Sequence, residues 1–387
     1  MQSKANPITK GRGLESLVQF MNDHPSWIIL DNSQNSDYGT CPEKFNYVYN
    51  TGVAGISSTA AEFGKWMVHE PFEWWYTHGM DRSNQISEQQ WNEWWNAFAN
   101  TIRGPAKPSD GVAYTLANAK TALHSYITTY HSDQGMYKVL RSEKVFWSTL
   151  PNLEGVVWLS KPDLVFETIA SGQFMTVDIK SSIWDTNERL VPFDRQFVGQ
   201  AYATGSTEMM KIFVHFELGG SGSNRRCNVI TSRQRIKLDS NVLESWIKDT
   251  EHDAKAVLES YRTDVWPKRA PIACHQFNRL CEMYTLCENN GDEMVLKGMH
   301  RANPLAYLGL SRGRGGRYSI IDQPPPVAVP VAMPEIAQII PGDFTSTNDN
   351  TMFDREMHRQ LSPSPEAWPS RTPGSATAGT IRHRTVR

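Results

Sequence analysis

Two aspartates and one lysine near the middle of the chain have the types and the spacing that a hydrolytic site requires. Residues 174–182 read FMTVDIKSS, a run typical of a β-strand, in which successive side chains point to opposite faces. Asp178 and Lys180 therefore share one face, and the opposite face carries the apolar side chains of Met175, Val177 and Ile179. Asp163 lies on the preceding predicted strand, across a short turn, so we expect its carboxyl group to face that of Asp178.

The chemistry that fits this trio is metal-dependent cleavage of phosphodiester bonds. Two carboxylates at close range repel each other unless a cation lies between them, and hard oxygen ligands favour Mg²⁺ or Mn²⁺. Such an ion polarises a phosphate oxygen and activates a bound water, while a lysine positions that water. The alternative is a solvated strand face with a salt-bridging lysine. The strand placement and the apolar opposite face favour catalytic roles for Asp163, Asp178 and Lys180.

The composition argues against binding of nucleic acid through the global charge of the protein. The 387 residues are 39% hydrophobic, enough for one sizeable core, and 39 basic residues nearly balance 41 acidic ones. Any contact with nucleic acid therefore needs a local basic groove. We find no apolar run long enough to span a bilayer and no apolar signal core, so we expect a soluble cytoplasmic protein, bacterial or phage-encoded.

The order of patterns along the chain predicts a mixed α/β core. A helix is predicted over residues 60–77, followed by a helical insert at about 84–131. Three β-type runs, a helix in FDRQFVGQAYATG, two further strands and a long helix from Ser240 or Asn241 come next. No glycine-rich phosphate loop follows a predicted strand, which argues against a doubly wound nucleotide binder. The predicted organisation is a lead-in, a nuclease domain, a basic connector and a proline-rich disordered tail, at residues 1–30, 31–290, 291–321 and 322–387.

Four of the five cysteines form a second pattern. An odd count in a chain of this length argues against a disulfide framework. Cys274, Cys281 and Cys287 lie just past the long helix, and with Cys41 they offer four thiolates from opposite ends of the predicted domain. Four thiolates suit a 4Fe–4S cluster or tetrahedral Zn²⁺, although the spacing lacks the close pairs of common zinc fingers. Buried reduced thiols are the alternative, and packing is our interpretation of Cys227.

Several segments, taken in order, resemble the PD-(D/E)xK nuclease superfamily, and more narrowly its RecB-like exonucleases. These include CRISPR-associated adaptation exonucleases and phage relatives that carry an iron–sulfur cluster. The resemblance covers residues 30–290 and rests on SDYGTCPEKFNYVY, EFGKWMVHEPFEWWY, RSEKVFW, SKPDLVFE, VDIKSS, DRQFVGQAY and ACHQFNRLCEMYTLC. It implies the superfamily's restriction-endonuclease-like core, built on a mixed sheet.

The resemblance also implies roles for single residues. Glu143 in RSEKVFW would lie at the edge of the site, or would only pair with a neighbouring strand, and Gln196 in DRQFVGQAY would lie at the site. The four cysteines outside the predicted hairpin would hold a 4Fe–4S cluster, with Zn²⁺ as the alternative. The metal ligands that the resemblance implies are His69, Asp163, Asp178 and the backbone carbonyl of Ile179.

Two spacings depart from the family pattern. Four residues rather than the usual three separate Gly64 from His69. In the glutamine motif, Gln200 stands four residues after Gln196, where a tyrosine is usual, and Tyr202 lies two residues further on.

Contacts with nucleic acid are predicted at one hairpin. Its cations are Arg225, Arg226, Arg233, Arg235 and Lys237. They could follow phosphates, or they could protect a solvated edge strand. Tryptophans could stack on single-stranded bases, but packing between helices is the interpretation that we prefer for Trp74, Trp75, Trp91, Trp94 and Trp95.

These features together predict a Mg²⁺- or Mn²⁺-dependent DNA exonuclease of recombination, repair or phage DNA processing. Its partner would be DNA, as a single strand or a duplex end, with a helicase or recombination protein as a further partner. Two alternatives remain open, an endonuclease on the same fold and a non-catalytic DNA-binding subunit with a vestigial site.

Overall fold

The computed structural model describes residues 9–53, 63–79, 91–93, 95–96, 112–142, 145–183, 194–221, 224–269, 272–275, 280–299, 302–303, 305–312 and 317–321. All of them belong to the first of two compact units, Met1–Val327. Among these residues, no helix combines the length and the apolar character that crossing a membrane requires.

Two sheets surrounded by helices confirm the predicted mixed α/β class. The five-stranded sheet has the order β3-β6-β7-β8-β9 and the four-stranded sheet the order β1-β4-β5-β2, while β10 and β11 pair separately. Each of the two larger sheets combines one parallel pair, β7 with β8 or β2 with β5, with antiparallel pairs. The strands are β1 (Lys10–Arg12), β2 (Ile28–Leu30), β3 (Tyr137–Ser142), β4 (Phe146–Leu150), β5 (Leu153–Ser160), β6 (Leu164–Thr168), β7 (Phe174–Ser182), β8 (Glu208–Gly219), β9 (Arg226–Lys237), β10 (Leu310–Arg312) and β11 (Tyr318–Ile320).

The helices cover both faces of the five-stranded sheet and the N-terminal side of the molecule. The α-helices are α1 (Leu14–Asp23), α2 (Asn32–Thr40), α3 (Pro42–Phe45), α4 (Glu70–Trp74), α5 (Leu116–Thr129), α6 (Asp133–Met136), α7 (Arg195–Thr204), α8 (Ser240–Thr263), α9 (Tyr284–Glu288) and α10 (Glu293–Gly298). Segments with π-helical hydrogen bonding are Asn46–Asn50, Gly64–His69 and Trp75–Gly79, and short 3-10 turns are Ile272–Cys274 and Ala306–Leu308. We call residues 64–74 the His69 helix.

The five-stranded sheet is packed on both faces. Val177 and Ile179 belong to an apolar core shared with Val68 and Phe72 of the His69 helix. On the opposite face, α7 and α8 pack through a second core that includes Trp246. The sheet therefore presents one face to the His69 helix and the other to α7.

Strand β7 extends past its neighbour β6, and this sets the position of the site. The register pairs Leu164, the first residue of β6, with Val177. Strand β8 continues alongside β7 as far as Ser182, which lies opposite His215. Among the described strands, residues 178–182 therefore have a partner on one side only.

The prediction of three strands before the helix in FDRQFVGQAYATG is wrong, because the described residues there form five strands, β3 to β7. The run 154–167 leaves the four-stranded sheet at Ser160 and enters the five-stranded sheet at Leu164. Lys161 and Pro162 lie in this break, where proline has no N–H to donate to a ladder. The run 140–150 likewise contains the end of β3 and all of β4.

The predicted lead-in and connector contribute to the same domain in the structure. Leu17 and Met21 of α1 share an apolar core with Leu310 and Tyr318 of the β10–β11 hairpin. Of the predicted insert, α5 and residues 91–93 and 95–96 are among those described. The predicted tail, residues 322–387, lies outside the described residues.

Candidate active site

Asp178 and Lys180 lie side by side on the face of β7 that meets α7. Asp178 is 2% exposed, and its Oδ2 lies 2.8 Å from Nζ of Lys180. Oδ2 is buried, and the Lys180 ammonium is its ion-pair partner; among the described residues, no amide or hydroxyl group donates a hydrogen bond to it. Val177 and Ile179 are fully buried on the opposite face, as the alternation in the sequence predicts.

Asp163 lies at the open edge of β7, one residue before β6 begins. Its Oδ2 accepts a hydrogen bond of 2.6 Å from the backbone N–H of Ile179. Its Oδ1 lies 3.3 Å from Nδ1 of His69. The N–H and C=O of a strand residue point to the same side, so the carbonyl of Ile179 is directed to this edge as well. The structure thus brings the implied ligands His69, Asp163 and Ile179 to one edge, beside Asp178.

A π-helical turn places His69 at this edge despite the unusual spacing in the sequence. The N–H of Glu70 bonds to the carbonyl of Lys65, five residues back, where an α-helix would reach back four. The turn therefore absorbs the extra residue between Gly64 and His69. Gly64 allows this close approach, because a Cβ there would stand 2.8 Å from Oγ of Ser181 and the hydroxyl would have to move.

Two glutamines of α7 hold the same oxygen of Asp178. Nε2 of Gln200 donates to Oδ1 over 2.9 Å, and Nε2 of Gln196 donates to it over 3.2 Å. Gln200 is buried and Gln196 is half-buried. The prediction named only Gln196, although the separation of four residues already placed both on one side of a helix. The two amides leave Oδ2 of Asp178 directed elsewhere.

The charges of the site act on one another. Burial raises the pKa of Asp178, and the negative charge of Asp163 raises it further. The ammonium of Lys180 lowers this pKa, but the net effect is a raised pKa. Burial acts the same way on Asp163, but His69 and the Ile179 N–H outweigh it, and the pKa of Asp163 is lowered. Burial would lower the pKa of His69, but Asp163 raises it above the ordinary value. Burial would likewise lower the pKa of Lys180, which Asp178 raises instead, so this ammonium keeps its charge.

The donor set suits a divalent cation. Carboxylates and a carbonyl are the oxygen ligands that Mg²⁺ and Mn²⁺ favour, and Oδ2 of Asp178 offers one of them in a buried position beside Lys180. Within the described ranges, no three His, Cys, Asp or Glu side chains are already arranged around one ion position. A bound ion would therefore require small side-chain adjustments, beginning with the contact between Lys180 and Asp178.

Comparison with known proteins gives weak structural likenesses. No family model and no curated protein matches the sequence. A candidate exonuclease from Eubacterium rectale is similar at a TM-score of 0.38 and 16% identity, over 70% of this chain and 95% of that one. An alkaline exonuclease from Laribacter hongkongensis is similar at a TM-score of 0.23 and 13% identity, over 48% of this chain and 91% of that one. The assignment of a function therefore depends on the residues of this chain.

The structure brings the four predicted cluster cysteines into one neighbourhood. All are free thiols. Burial raises the pKa of Cys281, and the nearby Cys274 and Cys41 raise it further. Burial also raises the pKa of Cys287 to about 11, with Cys41 and Cys281 among its neighbours. Cys227 lies elsewhere, on β9, where it packs against the core of the five-stranded sheet.

The surroundings of these thiols suit a thiolate-bound group. Sγ of Cys281 accepts a hydrogen bond of 3.4 Å from the N–H of Met283. Lys44 acts to lower the pKa of Cys281, and Lys268 acts to lower that of Cys287, so each lysine offsets negative charge on one sulfur. Thiols, a backbone donor and cations are groups that iron–sulfur and zinc sites use, but among the described residues these cysteines do not already surround one ion position.

The five cations predicted to bind DNA fall into two groups. Arg233 donates to both oxygens of the buried Asp133, over 2.6 and 2.7 Å, and its guanidinium lies 4.0 Å from the ring centroid of Tyr130. Arg235 is ion-paired with Glu208. Arg225 and Arg226 are exposed at the start of β9, and Lys237 is exposed at its other end.

The register locates Arg226 at the site end of the sheet. It lies opposite Gly219, four residues past His215, which is level with the last residue of β7. At about 3.3 Å per residue, Arg226 stands roughly 13 Å beyond the end of β7.

The remaining predicted residues divide between core and undescribed positions. Trp75, Trp91 and Trp95 are 3–5% exposed, consistent with the preferred packing role, and Trp74 is half-buried. Glu143 and Trp94 lie outside the described residues.

Proposed function

We propose that this protein is a metal-dependent deoxyribonuclease of the PD-(D/E)xK type that acts as an exonuclease. The observation that supports the proposal is the meeting of Asp163, Asp178 and Lys180 at the open edge of β7, where the buried Oδ2 of Asp178 lies 2.8 Å from the Lys180 ammonium. A buried ammonium–carboxylate pair usually stabilises a fold no more than apolar residues of similar size would, so a catalytic role accounts for this pair better than a purely structural role. The exonuclease mode comes from the sequence resemblance.

The residues of the site have distinct tasks in this proposal. Asp163, Asp178, His69 and the carbonyl of Ile179 would hold Mg²⁺ or Mn²⁺, which supplies Lewis-acid polarisation of the phosphate and activation of water when bound. Because its pKa is raised, Lys180 stays an ammonium that donates hydrogen bonds, orients the attacking water and offsets charge at the phosphate.

Asp163 and the glutamines keep these groups in place. Asp163 receives the Nδ1–H of His69, which fixes the ring and leaves Nε2 as the nitrogen that could bind a metal. Gln196 and Gln200 hold Oδ1 of Asp178, so its second oxygen stays directed into the site.

A 4Fe–4S cluster on Cys41, Cys274, Cys281 and Cys287 completes the proposal. Its role would be structural, because it would connect the N-terminal segment at α3 to the segment that follows α8. Closing a loop of this length restricts the unfolded chain and so stabilises the folded one.

The experiment is a cleavage assay on linear and circular DNA, single- and double-stranded, with Mg²⁺ or Mn²⁺. We expect metal-dependent digestion of linear DNA by the wild type and none by Asp178→Asn, which keeps the size of the side chain. Asp249→Asn, on the exposed side of α8, is the matched control and should cleave normally.

Each outcome has a definite meaning. Absence of cleavage on every form of DNA, or equal cleavage by Asp178→Asn, would contradict a catalytic site and favour a DNA-binding subunit. Cleavage of circular DNA would instead identify an endonuclease. A helicase or recombination partner would appear as increased processivity on duplex ends.

A further inference from the structure

Lys65 and Trp66 form a surface pair on the His69 helix that the proposed catalysis does not use. Lys65 is exposed and Trp66 is half-buried. Nζ of Lys65 lies 4.7 Å from the centroid of the Trp66 ring. Trp75 and Trp91, further along the chain, are 4% and 5% exposed, so Trp66 differs from these core tryptophans in offering part of its ring to solvent.

The π-helical turn directs Lys65 toward the same flank as His69. A π-helix has more than four residues per turn, so residues four apart lie nearly above one another along the helix. The bond from the Glu70 N–H to the Lys65 carbonyl shows that the turn includes Lys65. Lys65 and His69 are therefore neighbours on one side of the helix, one turn apart.

The contact of Gly64 with β7 determines where along β7 the Lys65–Trp66 pair lies. Gly64 lies against Ser181, so closely that a Cβ would stand 2.8 Å from its Oγ. Lys65 follows Gly64 directly and therefore starts level with Ser181, one residue past Lys180. Together with the flank shared with His69, this places Lys65, and the Trp66 ring that it covers, near the end of β7 and toward its open edge.

A single strand of DNA presents the two features that such a pair can recognise. Each nucleotide carries an anionic phosphate and a flat base, and stacking on an aromatic ring together with an ammonium contact is a common way to bind them. A lysine over a tryptophan is also an ordinary surface contact. Its position one turn from His69 is what favours a binding role.

We propose that Lys65 and Trp66 form a subsite that binds one nucleotide of single-stranded DNA beside the scissile phosphate. This proposal rests on the proposed nuclease function. The base stacks on the ring face that the ammonium covers in the free protein, and the ammonium moves from the ring to the phosphate. Because every base has an aromatic face, the subsite has little sequence preference.

Binding and kinetics of Lys65→Ala and Trp66→Leu test the two halves separately. With labelled single-stranded oligonucleotides and no divalent ion, Lys65→Ala should reduce the slope of log affinity against log salt by about 0.7, the value for one neutralised phosphate. Trp66→Leu should lower affinity by roughly tenfold or more at an unchanged slope. In cleavage assays both should raise KM and leave kcat near that of the wild type. Lys248→Ala, an exposed lysine on the opposite side of the sheet, is the control.

An abasic scan identifies the nucleotide. One abasic position is moved along the oligonucleotide, and its effect on affinity is compared between the wild type and Trp66→Leu. We expect one position at which the two losses do not add, because both remove the same stacked pair. Trp66→Tyr, which retains an aromatic ring, should restore most of the affinity and guards against a loss of folding in Trp66→Leu.

The subsite and the nuclease function fail in different ways. A wild type that cleaves DNA, with Lys65→Ala and Trp66→Leu matching Lys248→Ala in KM and salt slope, would overturn the subsite alone. Losses that add at every abasic position would also overturn it. A wild type that neither binds nor cleaves DNA would overturn the nuclease function together with the subsite.

Discussion

Nδ1 of His69 and Oδ1 of Asp163 lie 3.3 Å apart although 94 residues separate them in the chain. The contact depends on the π-helical turn at Gly64–His69, which takes up one residue more than an α-helical turn would. π-Helical turns occur often at functional sites. Here the turn keeps the histidine at the edge of β7 while Gly64 stays packed on Ser181.

This contact predicts a pH dependence for the stability of the metal-free protein. Because the pKa of His69 is raised on folding, its share of the stability is full below the unfolded pKa of about 6.5 and is lost as pH rises through the folded pKa. The pKa of Asp163 is lowered, so on the acid side the contribution is lost only as pH falls through that lowered value.

Urea denaturation of the wild type and of His69→Gln measures the effect. The difference in unfolding free energy should be larger near about pH 5.5 than near about pH 9. His252→Gln, an exposed histidine of α8, should show no such change. Equal differences at both pH values would mean that the imidazole and the carboxylate do not interact.

The two glutamines predict unequal losses of activity. Gln200→Ala removes the buried 2.9 Å bond that orients Asp178, and outer-shell losses of this kind typically reduce metal affinity or activity by about 10–100-fold. Gln196→Ala removes the longer, half-buried bond and should cost less. Activity is titrated against Mn²⁺ concentration for both variants.

Thr204→Val provides the control for this comparison. It lies one turn after Gln200 on α7 and loses hydrogen bonds to the backbone of that helix and to Ser206, none of which involves Asp178. A Thr204→Val loss as large as that of Gln200→Ala would indicate a general weakening of α7 rather than misorientation of Asp178.

The positions of the cations on the β8–β9 hairpin predict that they contribute unequally to the binding of duplex DNA. Replacing Arg225 and Arg226 with alanine should reduce the slope of log affinity against log salt by about 0.9 for each phosphate that is no longer neutralised. Replacing Arg235 and Lys237 should leave the slope nearly unchanged, because Arg235 is paired with Glu208 and both lie away from the hairpin tip. The opposite ranking would place the duplex along the body of β9.

The four clustered cysteines predict an oxygen-sensitive chromophore. Protein purified without oxygen should be brown and contain iron and sulfide in equal amounts. Serine at Cys281 or Cys287 should abolish the colour and lower Tm, because the segment past α8 would lose its connection to α3. Cys227→Ser on β9 should keep both colour and Tm. A colourless protein with one bound Zn²⁺ would replace the iron–sulfur assignment with a zinc site.

The sequence predicted the local parts of this molecule well. The alternation in FMTVDIKSS placed Asp178 and Lys180 on one face and Val177 in the core, because strand periodicity is a local property. The long helix begins at Ser240, one of the two predicted starts, and Asp239 caps it by accepting a hydrogen bond from the N–H of Asn241.

The parts that depend on distant register were not predictable in the same way. The break at Pro162 divides one apolar run between two sheets, which only the pairing of each half reveals. The contribution of Gln200 required knowing that α7 faces β7. The break and the role of Gln200 arise from packing between segments far apart in the chain, whereas the extra residue between Gly64 and His69 is the sequence trace of the π-helical turn.

The hydrogen bond from the Ile179 N–H to Asp163 affects which residues of the site evolution would retain if the activity were lost. Removing a charged catalytic residue often stabilises a fold, so a lineage that loses an activity tends to lose such residues. Asp163 is different, because its carboxylate satisfies a backbone donor that the missing length of β6 leaves open. A descendant without catalysis would still be selected to retain Asp163. Persistence of Asp178 and Lys180, rather than of Asp163, is therefore the better mark of a working enzyme among relatives of this chain.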